Sequence, residues 1–354
     1  MQEHIEGFRL SKGQARLWPR QHKHTPAYRA QAAILVEGEV EADRLREAVR
    51  RTVARHEILR TTFQSIPGVS IPLQVIDERA RFDWEEATHS IDDAGGRDVA
   101  VDKLLRQEGQ RKFDLERGPV ARFLLAQLSN ETHVLFASLP ALCADFTTLK
   151  SLTREIAEAY DDIASARGAR EDDEPTQFVQ FSEWQHELNE EGEADEAAVE
   201  FWRRQRQLRR ESLATSPYSA RADADAASEP ERVTRTMSAE NATRLRETAA
   251  RHDSTPEAWL LACWQSLLWR QSGEPGLVVD VWSDGRKFEE LAGALGLISE
   301  FLPVDGRFDS KTTTAECASR AGENLRRARK RQEYYAAAGG TREGDEEDVA
   351  SAVA

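Results

Sequence analysis

The residues best placed to do chemistry sit in SLPALCADFTTLK, Ser138 to Lys150. The stretch follows a strand-like run and precedes a helix-like one, the turn where many α/β enzymes hold reactive groups. It holds a carboxylate at Asp145 and a thiol at Cys143, and the thiol could act as a nucleophile. Cys143, however, alternates with Leu142 and Ala144, and a free cysteine in such a run reads as a small buried hydrophobe.

Other candidates are weaker. His56, in "RHE", falls on or near the apolar face of a helix and reads as a core histidine; His133 opens a strand and reads as packing. "HSIDD", His89 to Asp93, matches a His, three residues, Asp spacing, but so short a pattern recurs by chance and reads as a loop. The cysteines Cys143, Cys263 and Cys317 lie far apart with no CxxC pair, so neither a disulfide framework nor a zinc site is expected. No metal site is expected.

The elements that must position these groups follow from periodicity. "EVEADRLREAVRRTVARHEILRTTF" places Leu45, Ala48, Val49, Thr52, Val53 and His56 at spacings of three and four, one face of an amphipathic helix. Before it, "YRAQAAILVEGEV" reads as a strand ending at Gly38; after it, "TTFQSIPGVSIPLQVI" reads as two short strands around Pro67 and Gly68. "VARFLLAQLSNETHVLFASL" predicts two antiparallel strands joined at Ser129 to Thr132. "FTTLKSLTREIAEAYDDI" then carries Leu149, Leu152, Ile156 and Tyr160 on one helical face, with Thr147 or Thr148 as N-cap.

"ASARGAREDDEPTQ" reads as a linker between halves. The helix beginning "FVQFSEWQHELNEE" is broken near Gly192, and residues 209–232 are polar enough to be a mobile excursion. A Ser-Thr-Pro start at Ser254 to Pro256 opens a Trp-rich, largely buried helix, and Leu277 to Trp282 forms a strand. Trp259, Trp264 and Trp269 are five apart, share no face, and read as core packing. The last nineteen residues are Gly- and acid-rich and read as disordered.

The whole is an α/β chain with a sheet covered by helices in each half. At 354 residues it is long enough for two cores. A formal charge of −15 argues against nucleic acid or an anionic membrane as the main partner. No run approaches the roughly 20 apolar residues of a membrane span, and the N-terminus lacks a secretory apolar core, so a cytoplasmic protein is expected.

Four motifs carry a family resemblance. "LSKGQARLW" (Leu10 to Trp18) and "RHEILRTTF" (Arg55 to Phe63) resemble the first two signatures of condensation domains from nonribosomal peptide synthetases. "FVQFSEWQ" (Phe178 to Gln185) resembles the fourth, and "GALGLISEFLPV" (Gly293 to Val304), preceded by "SDGR", the fifth. They stand in register over roughly residues 8 to 335.

The resemblance implies two subdomains similar to chloramphenicol acetyltransferase, an α+β sandwich paired in a V around a tunnel, here 1–168 and 169–335 with a 336–354 tail and the second incomplete. It also implies attack of an acceptor amine on a donor thioester, both carried on phosphopantetheine arms of partner carrier domains, with no cofactor bound covalently to this chain. The third signature, two histidines, three residues and Asp-Gly, is degenerate. Aligned on Leu139 and Asp145, its first histidine is Pro140, its second is Ala141 and its glycine is Phe146; only Asp145 survives.

Alanine offers neither a lone pair nor a hydrogen bond where a general base contributes about 10²- to 10⁴-fold, and a benzyl side chain at 146 fills space a glycine leaves open. Asp145 is expected to be structural, tied to an arginine that holds two motifs together, with Arg60 as the expected partner. The fifth signature carries Glu300-Phe301 where the family has Asn-Thr; the sixth survives at best as "RQEYY" (Arg331 to Tyr335), and the strands that follow it in the family are missing, as in a fragment or a shortened stand-alone form.

With no carrier serine motif and no adenylate-forming motif, the chain is expected to meet carriers in trans or through a lost connection. Two roles remain open: a degenerate module that docks carriers or recruits a tailoring oxygenase, as some family members do, or an enzyme performing another acyl transfer, cyclisation or dehydration by positioning alone.

Overall fold

The structure is a computed structural model that describes residues 7–23, 28–66, 68–88, 96–165, 174–190, 195–215 and 234–335. The "HSIDD" stretch, Gly192 and the C-terminal tail lie outside those residues. The chain divides into two units, one of residues 1–188 and 286–299, the other of 189–285 and 300–354.

The first unit is built on a four-stranded sheet in the order β1-β6-β5-β4. β1 (Arg29–Glu37), β5 (Arg122–Ser129) and β6 (Thr132–Pro140) pair antiparallel, while β4 (Asp83–Thr88) runs parallel to β5. β6 is central and covered on both faces, which is why its sequence is a near-continuous apolar run instead of an alternation. Leu135, Ala137 and Leu139 point into the main core, whereas Val134 and Phe136 point to a second cluster with Leu104.

The main core is filled by α2 (Ala42–Arg55) and α4 (Phe146–Ala164), through Leu45, Val49 and Val53 of one and Leu152 and Ile156 of the other. Leu104 belongs to α3 (Gly96–Gln110), whose apolar residues make only a weak stripe and give little helical signal in the sequence. A separate hairpin pairs β2 (Thr61–Gln64) with β3 (Leu73–Ile76), and α1 (Lys12–Lys23) seats Trp18 against Phe63.

α5 (Phe178–Glu190) also belongs to this unit, because Phe178 and Phe181 are buried in its core and Trp184 packs against Phe181 with its ring tilted. A break at residue 168 therefore differs from the division the packing makes. Residues 286–299 also belong here, although the strands flanking them are in the second unit.

The second unit pairs β7 (Gly276–Ser283) antiparallel with β8 (Glu300–Arg307). Its core gathers Trp202 of α6 (Glu196–Thr215), Leu261 and Ala262 of α8 (Pro256–Ser272), and Ala318, Ala321 and Leu325 of α9 (Thr314–Lys330). α7 (Ala239–Arg251) precedes α8.

Two expectations fail here. Of the excursion expected over 209–232, residues 209–215 are instead the end of α6, held by a buried Arg209–Asp280 ion pair at 2.8 Å, and 216–232 lie outside the described residues. α8 is buried on one side only: Leu260, Trp264 and Leu267 are exposed. Residues 258–269 contain no charge, so nothing in their pattern separates a buried side from an exposed one.

Candidate functional site

β6 ends at Pro140, where the lost N–H is harmless because the ladder stops; Ala141 N already donates to Tyr28 O at 3.2 Å, and Cys143 N turns back to Pro140 O at 2.9 Å. The loop between strand and helix is then clamped. Gln14 Nε2, from the "LSKGQ" motif, donates to Leu142 O at 3.0 Å and to Gln74 Oε1 at 3.1 Å. Ser182 Oγ and Gln74 Nε2 both donate to Arg9 O, and Glu183 pairs with Arg9 at 2.7 Å. The first and fourth motifs thus act as wiring around the loop.

Asp145 is the centre of the site. It is the N-cap of α4, its Oδ1 accepting from Thr148 N at 2.8 Å, so Asp145 and neither Thr147 nor Thr148 caps the helix. Its Oδ2 accepts from Ile298 N at 3.1 Å and Ser299 N at 2.9 Å. Arg286 grips both oxygens, Nη1 to Oδ2 at 3.0 Å and Nη2 to Oδ1 at 3.2 Å. The pair is almost wholly buried, with side-chain exposures of 3% for Arg286 and 2% for Asp145.

Burial alone would raise the Asp145 pKa. The Arg286 charge and its hydrogen bonds, with the Thr148 and Ser299 N–H groups, outweigh it and hold the carboxyl below its usual value. The carboxylate is fully engaged: five donors converge on two oxygens, leaving little capacity for a substrate.

Around it, Thr148 Oγ1 donates to Gly296 O at 2.8 Å and accepts from Gly296 N at 2.9 Å and Arg286 Nη2 at 3.1 Å. Gly296 is obligatory: its φ is +140°, and a Cβ there would lie 2.0 Å from Phe178 Cδ2. Arg286 Nε closes the turn on Ala294 O at 3.0 Å.

Arg60 is not the partner of Asp145. Its Nη1 donates to Asp77 O at 2.6 Å, where it finishes the β2–β3 hairpin, and Asp77 N returns a bond to Arg60 O. The arginine that does the work stands in "SDGR", 141 residues away in sequence.

The remaining candidates are dispersed. Cys143 is fully buried, and burial pushes its thiol pKa up, the reverse of what a nucleophile needs. His56 is buried with Nε2 2.7 Å from Glu155 Oε2. His133 is buried on β6 with Nδ1 unbonded among the described residues. Phe146 is 70% exposed at the first turn of α4, so its ring lies on the surface of this unit. Among the described residues no group of three His, Cys, Asp or Glu side chains could hold a metal, and no helix is long and apolar enough to cross a membrane.

The fold that carries this strand-to-helix turn, with its capping aspartate locked to a distant arginine, is also that of solved condensation domains. The chain superposes on the condensation domain of the Monacolin K polyketide synthase MokA with a TM-score of 0.77 at 19% identity, covering 94% of this chain and 75% of that one. It superposes on the X-domain from teicoplanin biosynthesis at 0.71 and 22%, covering 96% and 75%.

The condensation domain family model matches residues 5–337, and the chain belongs to that family. It is 26% identical over 335 residues to the phosphinothricin tripeptide synthetase PhsC of Streptomyces viridochromogenes, and 30% identical over 298 residues to PhsB of the same organism. It covers 92% and 81% of its own length in these matches but only 30% and 24% of theirs. The chain thus spans less than a third of the length of these two relatives.

Proposed function

We propose that this domain makes no peptide bond and serves as a docking or recruitment module for carrier domains or a tailoring oxygenase. The observation that carries the reading is Ala141, at the strand end where the family's second histidine is expected, beside an aspartate whose lone pairs are all spent on architecture. No described side chain with a free base or reactive thiol replaces it in the loop: Cys143 is sealed and Asp145 is paired. The X-domain, of the same fold, has been solved in complex with OxyB from teicoplanin biosynthesis, which gives such a module a precedent.

The phosphopantetheine arms of carriers remain the proposed ligands, presented without a condensation step. The test loads donor and acceptor residues on carrier proteins and follows product by mass spectrometry, with the native chain and with Ala141→His, alongside titration of carriers and of the oxygenase. The expected result is saturable binding with no product from either chain. Product from the native chain overturns the reading and favours acyl transfer, cyclisation or dehydration by positioning.

A further inference from the structure

We propose that the outer edge of β1 is a self-association surface that pairs with β1 of a second copy of this chain, antiparallel and centred on Ala33. The backbone sets the geometry. Gly38 N donates to Glu131 O and Ala141 N to Tyr28 O, so in the observed register the even-numbered residues of β1 turn their peptide groups toward β6. The odd-numbered residues, Arg29 to Glu37, turn theirs away. Among the described residues nothing hydrogen-bonds the outward peptide groups of Gln31, Ala33, Leu35 and Glu37, and Ala33, Leu35 and Glu37 are exposed.

An open edge of this kind is usually defended. The other edge of the sheet, β4, carries Asp83, Glu85 and Glu86, charges that repel an incoming strand. β1 reads RAQAAILVE: it has no proline, no bulge in its pairing with β6, and no charge between its two ends.

Those ends identify the occupant. Pairing about Ala33 sets Arg29 opposite Glu37 twice, Gln31 opposite Leu35 twice, and Ala33 opposite itself. Every outward peptide group then meets an outward partner, and opposite charges close both ends of the ladder. Arg29 Nη1 also donates to Glu108 O at 2.7 Å, which fixes the cation near its end of the strand. Leu35, opposite Val134 in the sheet and 41% exposed, gains a cross-strand neighbour in Gln31 of the second copy. An unrelated extended peptide could satisfy the backbone, whereas a copy of this strand also meets both charges in this register.

The test is sedimentation equilibrium of the full chain over a range of concentrations, with Glu37→Lys and Leu35→Lys. Both positions are exposed, so circular dichroism and melting stay as in the native chain. Glu37→Lys sets like charges opposite each other at both ends and is expected to raise the dimer dissociation constant about tenfold or more. Register is read independently by Ala33→Cys in a Cys263→Ser background, where the remaining thiols, Cys143 and Cys317, are buried. The central Cα atoms stand about 5.5 Å apart in such a pair, so mild oxidation yields a covalent dimer. A monomer at every concentration, or a dimer indifferent to Glu37→Lys that does not cross-link at position 33, overturns the proposal.

Discussion

The two units each bury an arginine–aspartate pair, and they use it differently. In the second unit Arg209 of α6 meets Asp280 of β7 through Nε and Nη2, at 3.0 and 2.8 Å, and so fastens one helix to one strand. In the first unit Arg286 meets Asp145, but the same carboxylate also caps α4 and takes the N–H groups of Ile298 and Ser299. One pair is a rivet and the other is a junction. A buried ion pair is weak evidence for stability by itself; a carboxylate that also satisfies three backbone donors is costly to lose. That is a physical reason for an aspartate to stand in a loop that opens with Pro140 and Ala141.

The largest effect expected from this difference is in substitution. Asp145→Ala strands Arg286, uncaps α4 and orphans two further N–H groups, and should cost about 3–5 kcal/mol or more in chemical denaturation. Asp280→Ala leaves Arg209 without its carboxylate but takes no helix cap with it, and should cost at least about 1 kcal/mol less than Asp145→Ala. Equal losses would erase the distinction.

Glycines sharpen the contrast next. Gly296→Ala forces a Cβ into Phe178 and should cost about 2–4 kcal/mol, whereas Gly273→Ala, at the left-handed end of α8 with nothing within 4 Å, should cost only about 1–2 kcal/mol. Thermal melts of the two variants compare them directly.

Acid should act through the junction. Because the folded-state pKa of Asp145 is lowered, its contribution is present above the unfolded value of about 3.9 and is lost as pH falls through the folded value. The native chain should therefore lose stability more steeply below about pH 4 than Asp145→Asn, measured by urea midpoints across pH. Parallel curves would mean that Asp145 is ionised no more readily folded than unfolded. At the small end, Phe146→Ala should change stability by no more than about 0.5 kcal/mol, since the ring is mostly in solvent.

Much of the first unit was legible in the sequence. The faces of α2 and α4, the β5–β6 hairpin and the place of Asp145 at a strand-to-helix turn follow from local periodicity and turn chemistry, which act over a few residues. The partner of Asp145 does not. The sequence reading points to Arg60, whereas the return of residues 286–299 to the first unit brings Arg286 to the carboxylate. The signal that could have found Arg286 was the motif itself: an arginine eight residues before a glycine-spaced apolar turn, Ala294 to Ile298, whose backbone needs a donor. The helix cap lies a few residues earlier than the threonines suggest, because Asp145 serves as both cap and ion-pair partner. α8 shows the opposite failure, where an uncharged run gives hydrophobicity without direction.

The most direct measurement is a double-mutant cycle on Asp145→Ala and Arg286→Ala, read by urea denaturation. If the aspartate persists as the hub of a structural junction, the double variant should cost less than the sum of the singles, with a coupling of about 1.5–3 kcal/mol. Additive losses, or an Asp145→Ala variant as stable as the native chain, would contradict it.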